Sequence, residues 1–198
     1  ICLLLFPCLT LLLAASIMAS NQAVFKNDNA VMYNYLQHAQ KGQVGFGDTN
    51  VAGNRISFAG LEPGDILLGG YRDCAYGRFS HAGIYIGNGQ VIEGYVDLGV
   101  TIQPVTHYWN YSQICLLKVV AKPEVKRKAV EYAKSYQQAL FFPVSFKNGE
   151  RIWNCSKIMW KAYAAQGLEL LKNDDDFWIA PEAYYYSPVV EVIREEGR

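Results

Sequence analysis

The sequence predicts an α+β domain, with helices packed against a mainly antiparallel sheet. Two patterns carry that reading. Short strand-like runs crowd the middle of the chain and are joined by turns rather than helices, most clearly at Gly87-Asn88-Gly89. Helical periodicity returns only after most of those runs, at 124–139 and 155–166. The composition agrees: 51% apolar and 18% charged residues suit a packed core and exclude a disordered chain.

In chain order, residues 1–15 are nearly all apolar, and small residues follow at Ala14, Ala15, Ser16, Ala19 and Ser20. That is the pattern of a secretory h-region with its cleavage zone, too short for the roughly 20 apolar residues of a membrane span. Residues 1–20 are therefore expected to be a signal peptide, or an N-terminal anchor if retained. Residues 21–198 are expected to form a single domain outside the cytoplasm, in the periplasm, the cell envelope or the extracellular space. The chain opens on Ile, so a basic n-region is expected ahead of it.

Asn27 to Gln40 reads as a helix closed by Lys41-Gly42, and 42–60 as Gly- and Asn-rich loops. Pro63-Gly64 leads into a short buried strand, Asp65 to Leu68. Ala82 to Ile86 and Gln90 to Glu93 flank the Gly-Asn-Gly turn as a hairpin, and Val100 to Val105 and Cys115 to Val120 are further strands. Val125, Ala129, Val130, Ala133 and Tyr136 recur at helical spacing. A second helix runs from Cys155 to Gln166 and is closed by Gly167. Asp174-Asp175-Asp176 marks a polar loop, and Val189 to Ile193 a last strand.

Charge and cofactor patterns narrow the function by exclusion. Lys+Arg and Asp+Glu each number 18, so the balanced charge argues against nucleic acid as a partner. Lys126-Arg127-Lys128 reads as a solvated helix face. There is no C-x-x-C, H-x-x-x-H, G-x-G-x-x-G or Walker-type loop, and no metal or organic cofactor is expected.

Three residues could carry chemistry. Cys155 opens a helix, where the helix dipole and free N–H groups lower a thiol pKa and can cradle an acyl oxyanion. His81 begins a strand beside Ala82 and Gly83, which leave room at its ring. Glu93, twelve positions on and across the hairpin, is a carboxylate in an apolar strand and a natural partner for that imidazole. The register is open. A turn centred near Gly87 sets Glu93 opposite His81, whereas one between Asn88 and Gly89 displaces Glu93 and turns it to the other face. Bland readings stand beside these: a core histidine, an exposed edge carboxylate and a filler cysteine.

The other thiols and histidines are read as structural. Cys74 lacks a helix behind it and suits a loop or a disulfide with Cys115, which itself reads as strand core. His38 and His107 lie in helix and loop with no carboxylate near them in sequence. Tyr71, Tyr76 and Trp153 are expected in the walls of a cleft.

Gly64-Asp65-Ile66-Leu67, Ser80-His81-Ala82-Gly83-Ile84-Tyr85-Ile86-Gly87, Val91-Ile92-Glu93 and Asn154-Cys155-Ser156-Lys157 together resemble the permuted papain-like amidases. These are the YiiX/YaeF group, relatives of the NlpC-type cell-wall peptidases. There the histidine hairpin precedes the cysteine helix, the reverse of the usual papain-like order. The resemblance spans about 61–188. It implies a papain-like fold, Cys155 as nucleophile, His81 as base and Glu93 as the third polar residue, where the superfamily often has His or Asn. It further implies hydrolysis of an amide through a thioester, on a peptide or small amide substrate such as one derived from the cell envelope. A lipid-ester hydrolase or acyltransferase, and a non-catalytic envelope-binding module, remain as alternatives of the same fold. Membrane contact is expected only through an uncleaved N-terminal segment.

Overall fold

The computed structural model describes residues 2–20, 31–43, 45–50, 53–143, 145–171 and 178–197. Two helices come first, α1 (Cys2–Ser20) and α2 (Val31–Gln40). The start expected for α2 at Asn27 and the loop at Asp174 to Asp176 lie outside the described residues. Leu9, Leu11, Leu12 and Leu13 of α1 are exposed, and no helix among the described residues is long and apolar enough to cross a membrane.

The centre is a six-stranded antiparallel sheet of β1 (Ile66–Gly70), β2 (His81–Gly87), β3 (Gln90–Tyr95), β4 (Gly99–Pro104), β5 (Gln113–Val119) and β6 (Val190–Glu196). Its order is β4-β3-β2-β1-β5-β6, so each neighbour from β1 to β4 is a hairpin or meander partner. Strand alternation divides the core in two. Ile66, Leu68, Ile84 and Ile92 face the helices α3 (Pro123–Ser135) and α4 (Cys155–Ala164), which supply Ala129, Ile158, Met159 and Ala162. Leu67, Val91 and Leu116 face the other way, under Ile56 and Tyr108. The expected α+β class therefore holds, with helix ends two to four residues short of the sequence reading.

The β2–β3 hairpin carries one irregularity that decides the site. Gly87, Asn88 and Gly89 all have positive φ, at 93°, 53° and 70°, which Gly and Asn tolerate best. Gln90 pairs with Gly87, but Val91 pairs with Tyr85 and Glu93 with Gly83. The register thus slips by one residue between Tyr85 and Gly87, a β-bulge. The turn is the Asn88-Gly89 one, which the sequence reading linked to a Glu93 facing away from His81. The bulge cancels that flip. Glu93 is displaced along its strand, opposite Gly83, yet shares a face with His81.

One sequence reading of the surface needs correcting. Arg127 and Lys128 are exposed, but Lys126 is buried, its Nζ 2.7 Å from the buried Asp65 carboxylate and 3.2 Å from Glu62. A periodic pattern cannot show that a helix residue faces a buried acid at the start of β1.

Candidate active site

Asn154 caps α4. Its side-chain Oδ1 accepts from the Lys157 N–H at 2.7 Å, and its Nδ2 donates to the Pro143 carbonyl at 3.0 Å. Cys155 is the first residue of that helix, so its own N–H and that of Ser156 have no intrahelical acceptor. The helix tip reaches β3 at Gly94, where a Cβ would lie 3.1 Å from the Cys155 nitrogen and 2.9 Å from the Phe141 ring. A glycine here lets strand and helix tip close together.

His81 Nε2 lies 2.9 Å from Glu93 Oε2. With Nε2 engaged by the carboxylate, Nδ1 is the ring nitrogen left for Cys155, whose thiol lines the same cavity and lies within the electrostatic reach of the imidazole. The three residues are thus brought together as the sequence reading expects, across the distance between a helix tip and a hairpin. Cys155 is only 8% exposed, but it lines a cavity of about 420 Å³ together with His81, so a path to solvent exists.

The charges cooperate. Burial opposes the thiolate at Cys155, but the His81 hydrogen bond and charge, the Ser156 hydroxyl and the Ala82 backbone outweigh it and lower the thiol pKa. Burial likewise opposes the imidazolium, yet Cys155 and Glu93 raise the His81 pKa. Glu93 is fully buried, which on its own favours the acid, but His107 and His81 hold it ionised. The arrangement favours a thiolate–imidazolium pair backed by a carboxylate, the state a cysteine nucleophile needs.

Several participants escaped the sequence reading. Tyr108 donates from its hydroxyl to Glu93 Oε2 at 3.0 Å. It reaches that oxygen because Gly83, opposite Glu93, leaves the space empty: a Cβ there would lie 2.8 Å from the Tyr108 hydroxyl. Tyr95 and Tyr111 pack on the His81 ring at centroid distances of 4.7 and 5.9 Å. Most consequential is His107, read from sequence as structural. Its Nε2 lies 2.7 Å from the second Glu93 oxygen, a close charge contact rather than a well-directed hydrogen bond. Both histidine and tyrosine come from the 3-10 helix Val105–Asn110, which follows β4 and folds back over the sheet. The adjacent pair His107-Tyr108 was the available signal, but nothing in its spacing points to Glu93.

Tyr71 and Tyr76 line the cavity as expected, while Trp153 is fully buried in the helix-side core against Tyr136. Cys74 and Cys115, for which the sequence allows either a loop and strand-core role or a disulfide, are both free and buried. No group of three or more His, Cys, Asp or Glu among the described residues is placed to hold a metal ion. The nearest such set, His81, Glu93 and His107, is turned inward: in His81 and His107 it is Nε2 that lies against a carboxylate oxygen, and both of those oxygens belong to Glu93.

A helix-tip cysteine beside a sheet histidine and a buried carboxylate defines the papain-like class of cysteine hydrolase. The NlpC/P60 family model matches residues 16–118, just over half of the chain, and the protein belongs to that family, whose members are cysteine peptidases and amidases in general. The matched stretch holds His81 and Glu93 but ends before Cys155. Among solved structures, the chain is similar to the metalloprotein YiiX from Escherichia coli O157:H7, at 18% identity and a TM-score of 0.53, over 69% of this chain and 98% of that one. That likeness supports a YiiX-like papain fold, and that protein is described as a metalloprotein, whereas the described residues here offer no cluster that fits a metal ion. No curated protein matches the chain.

Proposed function

We propose that the protein is an exported cysteine hydrolase that cleaves amide bonds in peptides of the cell envelope, with Cys155 as nucleophile, His81 as acid and base, and Glu93 as the residue that orients His81. The observation that carries this is the contiguous Cys155–His81–Glu93 array, whose charge pattern lowers the thiol pKa and raises that of the imidazole. The thiolate sulfur attacks the carbonyl carbon, and a C–S bond forms while the oxygen takes the negative charge. The Cys155 N–H at the helix tip is placed to stabilise that charge. As the C–N bond breaks, the His81 imidazolium gives its proton to the leaving amine. Neutral His81 then takes a proton from water, the hydroxide attacks the thioester, the C–S bond breaks and the thiolate is regenerated with release of the acid. Export rests on the apolar and small-residue pattern of residues 1–20.

A second reading, a lipid-ester hydrolase or acyltransferase, draws support from the cavity walls. Phe46, Tyr71, Tyr76, Tyr111, Phe141 and Trp178 make them largely aromatic, and among the described residues Asp97 is their only charge outside the Cys155–His81 pair. A non-catalytic envelope-binding module fits less well, because it has no use for a histidine held 2.9 Å from a fully buried carboxylate.

Mass spectrometry during turnover separates the three. With peptide amides, an acyl adduct on Cys155 that disappears as product forms is the expected result. An adduct and turnover only with long-chain acyl esters moves the assignment to the lipid reading. No adduct with either class, together with full ligand binding by Cys155→Ala, leaves the binding module.

A further inference from the structure

Beyond the Cys155–His81–Glu93 array, and resting on its assignment as the reactive centre, we infer that His107 is a positioning residue for the reaction: its Nε2–H holds one oxygen of the Glu93 carboxylate so that the other stays aimed at His81.

The two carboxylate oxygens of Glu93 have different neighbours. Oε2 accepts from His81 at 2.9 Å and from Tyr108 at 3.0 Å. Oε1 is buried and has no hydrogen-bond partner among the described residues, and its near contact is His107 Nε2 at 2.7 Å, an atom equally buried and equally lacking another partner. Two lone pairs at that separation would repel, so Nε2 carries a hydrogen, although its direction is off the line to Oε1. The other ring nitrogen, Nδ1, faces the Tyr95 hydroxyl at 3.4 Å, and that hydroxyl is 3.3 Å from the Tyr111 hydroxyl. A chain therefore runs from the Tyr95–Tyr111 phenols through His107 to Glu93, and on through His81 to Cys155.

The physical consequence follows from burial. An ionised carboxylate with one oxygen unpaired in a dry site takes up a proton more readily, and a neutral Glu93 no longer supports the imidazolium that sustains the thiolate. The groups facing Glu93 are His81 from β2, His107 and Tyr108 from the 3-10 helix, and Tyr95 from its own strand, with Tyr111 behind them. Among these groups His107 is the one in contact with Oε1.

Two substitutions isolate that contact. Glutamine carries an amide nitrogen at about the position of the imidazole Nε2, whereas asparagine reaches only to the position of Nδ1. The readout is the pH dependence of Cys155 alkylation by iodoacetamide, followed by peptide mass spectrometry. His107→Asn should move the midpoint to higher pH by about one unit or more, and His107→Gln should leave it within about half a unit of wild type. No shift in either variant, or equal shifts in both, overturns the assignment, since neither result needs a donor at Nε2. Should His107→Asn fail to fold by circular dichroism, Tyr95→Phe replaces it: loss of its hydrogen bond to Nδ1 should give a smaller upward shift, and no shift overturns the inference. A wild-type Cys155 that reacts no faster than Cys74 removes instead the reactive-centre reading beneath it.

Discussion

Cys155 and Cys74 are both buried, at 8% and 3% exposure, yet their thiols are driven in opposite directions. At Cys74 burial raises the pKa to about 11, with the Glu182 charge adding to it against weaker hydrogen bonds from the Tyr76 backbone and Ser80. Cys74 sits in a turn with no helix behind it, beside Asp73 and Gly77, which have positive φ, and the local charge is the Glu182 carboxylate. At Cys155 burial acts in the same sense, but an imidazole, a hydroxyl and a backbone N–H outweigh it. Desolvation alone makes a cysteine inert. What makes a buried thiol reactive is a positive partner close enough to profit from the same low dielectric that would otherwise penalise it.

Four measurements can break that contrast or refine it. The largest effect is expected on turnover: Cys155→Ala should lower kcat/KM by at least about 10⁴-fold, while Cys74→Ala should change it less than about twofold. Comparable losses at the two cysteines would put both in the machinery and end the contrast. The next effect is on labelling. With its raised pKa, Cys74 offers about one thiolate in 10⁴ molecules at neutral pH, so its alkylation should begin only in strongly alkaline solution. Cys155, with a lowered pKa, should retain its thiolate as the pH falls below the ordinary thiol range, and His81, with a raised pKa, should retain its proton as the pH rises above about 6.5. The rate of hydrolysis should therefore show a plateau bounded on the acid side by the thiol and on the alkaline side by the imidazolium. An alkaline limb near the ordinary histidine value would show that Glu93 does not support the ring. The smallest effect is expected at Gly83→Ala, whose Cβ would meet the Tyr108 hydroxyl at 2.8 Å and the Val91 side chain at 2.5 Å. It should cost about 1–3 kcal/mol in a denaturation experiment and slow turnover by about tenfold or less. An unchanged melt would mean that Tyr108 does not need that space.

Much of the scaffold was legible because local chemistry and tertiary packing agree. Asn154-Cys155 ahead of an amphipathic run announced a capped helix with a thiol at its tip, and Asn154 caps it. The Gly-Asn-Gly turn announced the hairpin, and His81 and Glu93 were both visible as polar residues in apolar strands. What was hidden depends on chain segments returning from elsewhere. His107 and Tyr108 belong to a short 3-10 helix with no periodic signal, and only the fold back over β3 makes them partners of Glu93. The burial of Lys126 is hidden for the same reason: its partner Asp65 lies just ahead of β1, which the helix reaches only in three dimensions. Trp153 was expected in the cleft wall, but the parallel bridge between Phe141 and Trp153 leaves Phe141 lining the cavity while the indole packs in the core.

The sequence by itself determined the fold class, the helix that carries Cys155 and the hairpin that carries His81 and Glu93, because capping, turn chemistry and alternation are local properties. Tertiary structure alone decided whether those residues meet. A Gly87–Gln90 register carried inward would have set Glu93 opposite Ile84 and turned it away from His81, and the one-residue bulge between Tyr85 and Gly87 brings it back. The approach of the helix tip at Gly94 and the return of His107 to Glu93 likewise rest on contacts between distant segments. Such contacts are set by how the whole core packs, which a local pattern does not encode.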